Sequence, residues 1–171
     1  MLFDSFYPDL YCYSTYDIDF KALFASGIRG LIFDIDNTLV PHGAPPDERS
    51  IALFKELHET GFKCMLLSNN KYKRVSSFAE GVKYTDFICN GGKPGRKGYI
   101  RSMEFMGTDR DNTLLIGDQL FTDVWGAKRS GIKSLLVHRI DDREEIQIIL
   151  KRIPENIILH FYFKDKDITW K

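Results

Sequence analysis

The sequence predicts an α/β fold: a doubly wound parallel sheet in three layers, with helices on both faces. Three observations carry that prediction. Residues 30–34 (GLIFD) form a short apolar run that follows a glycine and stops in polar residues, as a strand buried on both faces does. Asp47 to Thr60 then sets Ile51, Leu53, Phe54, Leu57 and His58 in an apolar-leaning helical stripe, behind Pro45, Pro46 and a capping Asp47 and ahead of Gly61. The alternation of apolar run and amphipathic segment repeats as far as Arg152. A length of 171 residues suits one domain, and 43% hydrophobic with 28% charged residues excludes disordered and fibrous classes.

After the first helix the predicted elements follow in order. Phe62 to Leu67 is the second strand, Tyr72 to Glu80 a helix, Phe87 to Cys89 a short strand and Gly98 to Met106 a helix. Thr113 to Ile116 is a strand, Thr122 to Ser130 a helix, Lys133 to Val137 a strand and Asp142 to Arg152 a helix. The apolar run 157–163 (IILHFYF) reads as a strand or packing segment. Residues 1–171 are expected to form a single domain, with an aromatic-rich segment over 1–26, a core over 27–140 and a C-terminal helix and tail over 141–171. In such a sheet ligands belong outside the carboxyl ends of the strands.

Charge and composition narrow the function classes. The 24 Lys and Arg balance 24 Asp and Glu, so no bulk field draws the chain to nucleic acid, and no nucleic-acid partner is expected. Cys12, Cys64 and Cys89 lie far apart with no CxxC pair, and read as buried thiols in a reducing compartment. No apolar run approaches the roughly 18 residues of a membrane span, and Asp4 stands where a signal peptide carries Lys or Arg. The expected address is cytoplasmic.

Four polar stations fall where predicted strands end or in adjoining loops: residues 34–38 (DIDNT), Ser68 with Asn69 and Asn70, Lys93 before a helix, and residues 117–123 (GDQLFTD). Each alone has a turn or cap as its simplest reading. Together and in this order they are hard to obtain from turn chemistry. In them the chain resembles the haloacid dehalogenase superfamily of phosphatases.

The resemblance implies a mechanism whose residue types make physical sense. Asp34 is the carboxylate nucleophile, which reaches phosphorus only when the charge of the phosphate is neutralised by a hard cation such as Mg²⁺. Asp34 and Asp118 supply carboxylate ligands, Asp36 its backbone carbonyl, and Asp123 supports the metal from behind. The Asp36 side chain serves as acid and then base. Ser68 and the Asn69 N–H would bind the transferring phosphoryl oxygens, and Lys93 would offset the concentrated negative charge. Thr38 is expected to hydrogen-bond within its own loop.

The spans 37–67 and 69–92 are filled by predicted helices and strands, leaving no room for a cap domain. An uncapped site suits a large substrate whose phosphate projects into the cleft. With PDLYCYSTYDIDFKALFASGIRGLIFDIDNTLVPHG near its start and GDQLFTDVWGAKRSG later, the chain resembles the capless type IIIA branch, similar to mitochondrial phosphatidylglycerophosphate phosphatases. That implies a phospholipid head group as partner and peripheral contact with a membrane. A nucleotide or sugar phosphate is the alternative substrate, and a phosphate-recognising binding module the alternative class; an oligomer is a further option. Arg96 and Lys97, like Lys71, Lys73 and Arg74, either grip a second phosphate at the rim or form solvated helix starts. His42 is either a substrate contact or solvent-exposed. Eight aromatic residues between Phe3 and Phe24 read as a segment packed on the sheet edge or a neighbouring subunit, ahead of an interfacial patch.

Overall fold

The computed structural model describes residues 3–141 and 146–165. Six strands, β1 (Leu10–Cys12), β2 (Gly30–Phe33), β3 (Lys63–Leu67), β4 (Asp86–Ile88), β5 (Thr113–Gly117) and β6 (Lys133–Val137), form one sheet in the order β1-β6-β5-β2-β3-β4. Every pairing is parallel. The helices are α1 (Phe20–Ala25), α2 (Glu48–Thr60), α3 (Tyr72–Val82), α4 (Arg96–Met106), α5 (Trp125–Ser130) and α6 (Ile146–Asp165).

The central strands β2, β3 and β5 are apolar almost throughout because helices cover both faces, and the two-residue period sorts their side chains between two cores. Leu31 and Phe33 of β2, Cys64 and Leu66 of β3, and Leu114 and Ile116 of β5 face one core, with Leu53, Phe54, Leu57, Val75 and Phe78 from α2 and α3. Ile32, Met65, Leu67 and Leu115 face the other, with Tyr99 and Met103 of α4 and Ala127 of α5. Helix α2 begins where the sequence signals it: Asp47 Oδ1 accepts from the Ser50 N–H at 2.8 Å, and the Asp47 N–H donates to Ser50 Oγ at 3.0 Å. Such a cap contributes about 1 kcal/mol. Gly61 ends the helix at φ +103°, a conformation that glycine adopts without a Cβ penalty.

The structure corrects several expectations. The aromatic N-terminal segment contains an edge strand, β1, paired with β6 in the register Leu10↔Leu135 to Cys12↔Val137. Its rings do pack on the molecule itself: Tyr7 meets Tyr162 at 5.3 Å and Tyr11 meets Phe163 at 5.0 Å. The run 157–163 is helical and not a strand, because α6 continues through Pro154. Burial of Ile158, Tyr162 and Phe163 against Leu120, Val124, Leu136 and the N-terminal rings outweighs the backbone hydrogen bond that proline removes. Of the helix predicted over 142–152, residues 142–145 lie outside the described residues. The helix predicted over 122–130 opens with a π-helical turn at Leu120–Val124 before α5. Only Cys64 is buried, while Cys12 and Cys89 are half-buried.

Among the described residues no domain is inserted between β2 and α2 or between α3 and β4, so the carboxyl edge of the sheet carries no cap. No helix there is long and apolar enough to cross a membrane.

Candidate active site

Register brings the four stations together. Phe33 lies opposite Ile116 on one side and Leu66 on the other, so Asp34, Asp118 and Ser68 all follow directly from the ends of three adjacent strands. The Asp34 N–H extends the ladder to the Ile116 carbonyl at 3.0 Å. Asn37 turns the chain just beyond Asp36 at φ +63°, a conformation that Asn tolerates better than most residues.

Three buried carboxylates, Asp34, Asp118 and Asp123, each offer an oxygen within 4.8 Å of the others. Lys93 Nζ bridges two of them, donating to Asp34 Oδ1 at 2.6 Å and Asp123 Oδ1 at 2.7 Å. Burial opposes the charge on Lys93, yet Asp123 and Asp34 hold its pKa above the usual lysine value. Burial pushes Asp34 up to about 6, with Lys93 pulling it down and Asp123 and Asp36 adding to the rise. Asp118 is pushed up to about 8, again chiefly by burial, with Asp34 and Asp123 outweighing part of the pull of Arg152. Gly117 makes the crowding possible, since a Cβ there would stand 2.5 Å from Asp123 Cγ.

An open cleft of about 200 Å³ reaches this cluster, lined by Asp34, Asp36, His42, Ser68, Asn69 and Lys93 among others. Asp36 is held by three donors: the Gly43 N–H at 2.7 Å, Arg74 Nη2 at 2.9 Å and Asn70 Nδ2 at 2.5 Å. The Asn69 side chain clamps the Lys93 backbone, donating from Nδ2 to its carbonyl and accepting its N–H at 2.8 Å. The Thr38 N–H bonds within its own loop, to the Ile35 carbonyl at 3.2 Å, and its Oγ1 also donates to Asp118 Oδ1 at 3.3 Å, which ties the first station to the fourth. Arg96 and Lys97 are exposed in the first turn of α4 and are not among the cleft-lining residues. Lys151 of α6 is the further cation at the cleft.

Sequence reasoning also missed Arg152 and Glu155. Arg152 Nη1 donates to the Asp118 carbonyl at 2.9 Å and Nη2 to Asp118 Oδ2. Their spacing of three on a helix is an ordinary pattern, and nothing local marks them as facing a site thirty-four residues earlier in the chain.

The donor set suits a divalent cation. Five acids (Asp34, Asp36, Asp118, Asp123 and Glu155) face three bases (Arg74, Lys93 and Arg152), leaving two negative charges when all are ionised. All-oxygen ligation by carboxylates is the preference of Mg²⁺ and its hard relatives.

A family model for haloacid dehalogenase-like hydrolases matches residues 31–94, and a HAD-hydrolase-like model matches residues 90–154. The probable phosphatase YqeG of Bacillus subtilis (strain 168) is 33% identical over 172 residues, covering 100% of this chain and 99% of that protein. The chain belongs to the haloacid dehalogenase-like hydrolases. Solved structures share the fold of this hydrolase at low identity. An uncharacterized protein from Listeria monocytogenes serotype 4b gives a TM-score of 0.54 at 14% identity, over 77% of this chain and 98% of that one. The cobalt-bound deoxy-D-mannose-octulosonate 8-phosphate phosphatase of Haemophilus influenzae gives 0.53 at 15% identity, over 65% and 68%.

Proposed function

We propose that this hydrolase is a Mg²⁺-dependent phosphomonoester phosphatase working through an aspartyl-phosphate on Asp34. The observation that supports it is the Asp34 carboxylate at the foot of an open cleft, beside Lys93 and within 4.8 Å of Asp118 and Asp123. Asp34, Asp118 and the Asp36 backbone carbonyl would hold the ion, with Asp123 behind. Bound there, Mg²⁺ supplies the positive charge that lets two anions approach.

A carboxylate oxygen of Asp34 attacks phosphorus, and the bond from phosphorus to the leaving oxygen breaks as that oxygen takes a proton from Asp36. Water then attacks the phosphorus of the aspartyl-phosphate and gives its proton to Asp36, and the bond to Asp34 breaks to release inorganic phosphate. Ser68 and the Asn69 N–H orient the transferring oxygens, and Lys93 holds Asp34 in place. The test is Mg²⁺-dependent turnover of an aryl phosphate, with acid-quenched enzyme assayed for phosphate bound to Asp34. Turnover that leaves no phosphoryl group on Asp34 overturns the scheme.

The uncapped cleft favours a phosphate presented from a larger surface, and family resemblance points to phosphatidylglycerophosphate, met at the membrane surface by a cytoplasmic protein. With Arg96 and Lys97 away from the cleft lining, Lys151 is the better placed cation for a second phosphate. The decisive comparison is kcat/KM for the lipid in vesicles against nucleotides and sugar phosphates under the same Mg²⁺ and salt. A soluble phosphate turning over more efficiently removes the lipid and leaves the phosphatase.

A further inference from the structure

We propose that Arg152 and Glu155 of helix α6 are positioning residues for the divalent cation, so that the metal site extends beyond the four stations to the C-terminal helix. The inference rests on the Mg²⁺ reading above. Its basis is a buried chain of contacts that reaches two separate parts of the acid cluster. Arg152 grips Asp118 twice, through the carbonyl at 2.9 Å and through Oδ2. The same Nη1 donates to Glu155 Oε2 at 3.0 Å, and Glu155 Oε1 accepts the Phe121 N–H at 3.1 Å. Phe121 sits in the π-helical turn that carries Asp123. One side-chain pair on α6 thereby holds both the carboxylate at the end of β5 and the turn bearing the acid behind it.

The geometry gives the pair a definite task. Asp118 is held at both oxygens, Oδ2 by Arg152 and Oδ1 by Thr38 at 3.3 Å, which fixes the plane of the carboxylate. A carboxylate oxygen has two lone pairs, so Oδ1 keeps capacity for a cation while Oδ2 is occupied. The guanidinium reaches the carbonyl and the carboxylate of one residue from two separate nitrogens held in a fixed plane, whereas an ammonium carries its donors on one rotatable nitrogen. The contacts are buried, with the Arg152 side chain 9% exposed and that of Asp118 0%. Partners that orient metal-binding carboxylates typically change metal affinity 10- to 100-fold when removed.

A purely electrostatic role predicts the opposite sign. A cation beside a metal ligand repels the metal, so its removal would tighten binding and a lysine would restore the original affinity. Orientation predicts that Arg152→Met weakens Mg²⁺ binding about 10- to 100-fold, that Arg152→Lys recovers only part of it, and that Glu155→Gln weakens it less than Arg152→Met. The measurement is the dissociation constant of Mg²⁺ for the full chain by calorimetry, without substrate. A second readout uses the unaltered protein: Mg²⁺ should slow hydrogen exchange at the amides of residues 120–124 and of α6 together. Unchanged or tighter binding in Arg152→Met, full recovery by lysine, or Mg²⁺ protection that stops short of α6 each overturns the assignment. An unaltered protein that binds no Mg²⁺ overturns the metal reading as well, which separates the two failures.

Discussion

Arg74 Nη2 lies 2.9 Å from Asp36 Oδ1, so the side chain assigned to protonate the leaving oxygen is already in an ion pair. Asn70 and the Gly43 N–H complete its hold. Both proton transfers need Asp36 in a fixed direction, and Arg74 gives it one; the ion-paired carboxylate is set to accept the proton of the attacking water, and it passes a proton to the leaving oxygen after taking one up. Replacing Arg74 with Gln should slow alkyl phosphates, whose leaving groups need the proton, about 10-fold or more, while aryl phosphates fall less. The dependence of kcat/KM on leaving-group basicity measures this, and equal losses for both classes would separate Arg74 from acid catalysis.

Asp34→Asn keeps the shape of the side chain but supplies neither a nucleophile nor an anionic ligand. Turnover should fall by about 10⁴-fold or more, with no trapped phosphoryl-enzyme and an unchanged circular dichroism spectrum. Asp36→Asn should slow both half-reactions by about 10²- to 10⁴-fold and leave Mg²⁺ affinity close to the original, because the backbone carbonyl remains. Stopped-flow release of the leaving group, set against release of phosphate, separates the two steps.

The raised values of Asp34, about 6, and Asp118, about 8, make stability depend on pH. Unfolded carboxylates release their protons near pH 4, whereas the folded, metal-free protein keeps these two to higher pH. Between those limits the folded state binds more protons than the unfolded one, so stability falls as pH rises from about 4 toward 8. A bound divalent cation favours the ionised carboxylates and so opposes the fall. The melting temperature without metal should therefore drop between pH 5 and 8, and the increase produced by Mg²⁺ should be larger at pH 8. Thermal melts with EDTA and with Mg²⁺ across that range give the comparison.

Gly117→Ala introduces a Cβ that would meet Asp123 Cγ at 2.5 Å and Asp123 Cβ at 2.7 Å. The clash is with the root of the side chain, so Asp123 cannot swing clear without moving the turn that bears it. A loss of about 1–3 kcal/mol in stability is expected, together with weaker Mg²⁺ activation. Chemical denaturation and an Mg²⁺ titration of activity would show both.

The convergence of Asp34, Ser68, Lys93 and Asp118 was legible because strand ends in a parallel sheet share one edge, and the apolar runs marked the strands. Strand β1 was not legible: three residues with exposed Leu10 and half-buried Tyr11 and Cys12 carry no period, and only pairing with β6 makes them a strand. Pro154 is a strong local stop signal, overridden in α6 by packing that involves distant Tyr7 and Tyr11. The reach of the Thr38 hydroxyl to Asp118 was not legible for the same reason, since the two lie eighty residues apart. Arg152 carries no signal at all until α6 is laid across the end of β5.

The sheet order also bears on synthesis. Strand β2 sits at the centre between β3 and β5, but its β5 neighbour starts only at Thr113. While a chain emerges from the ribosome, one edge of β2 stays open until synthesis has passed Thr113 and β5 can pair with it. An open edge on an apolar strand is a template for pairing with other chains, so the nascent protein keeps an adhesive edge until β5, the strand that also leads into Asp118, pairs with it.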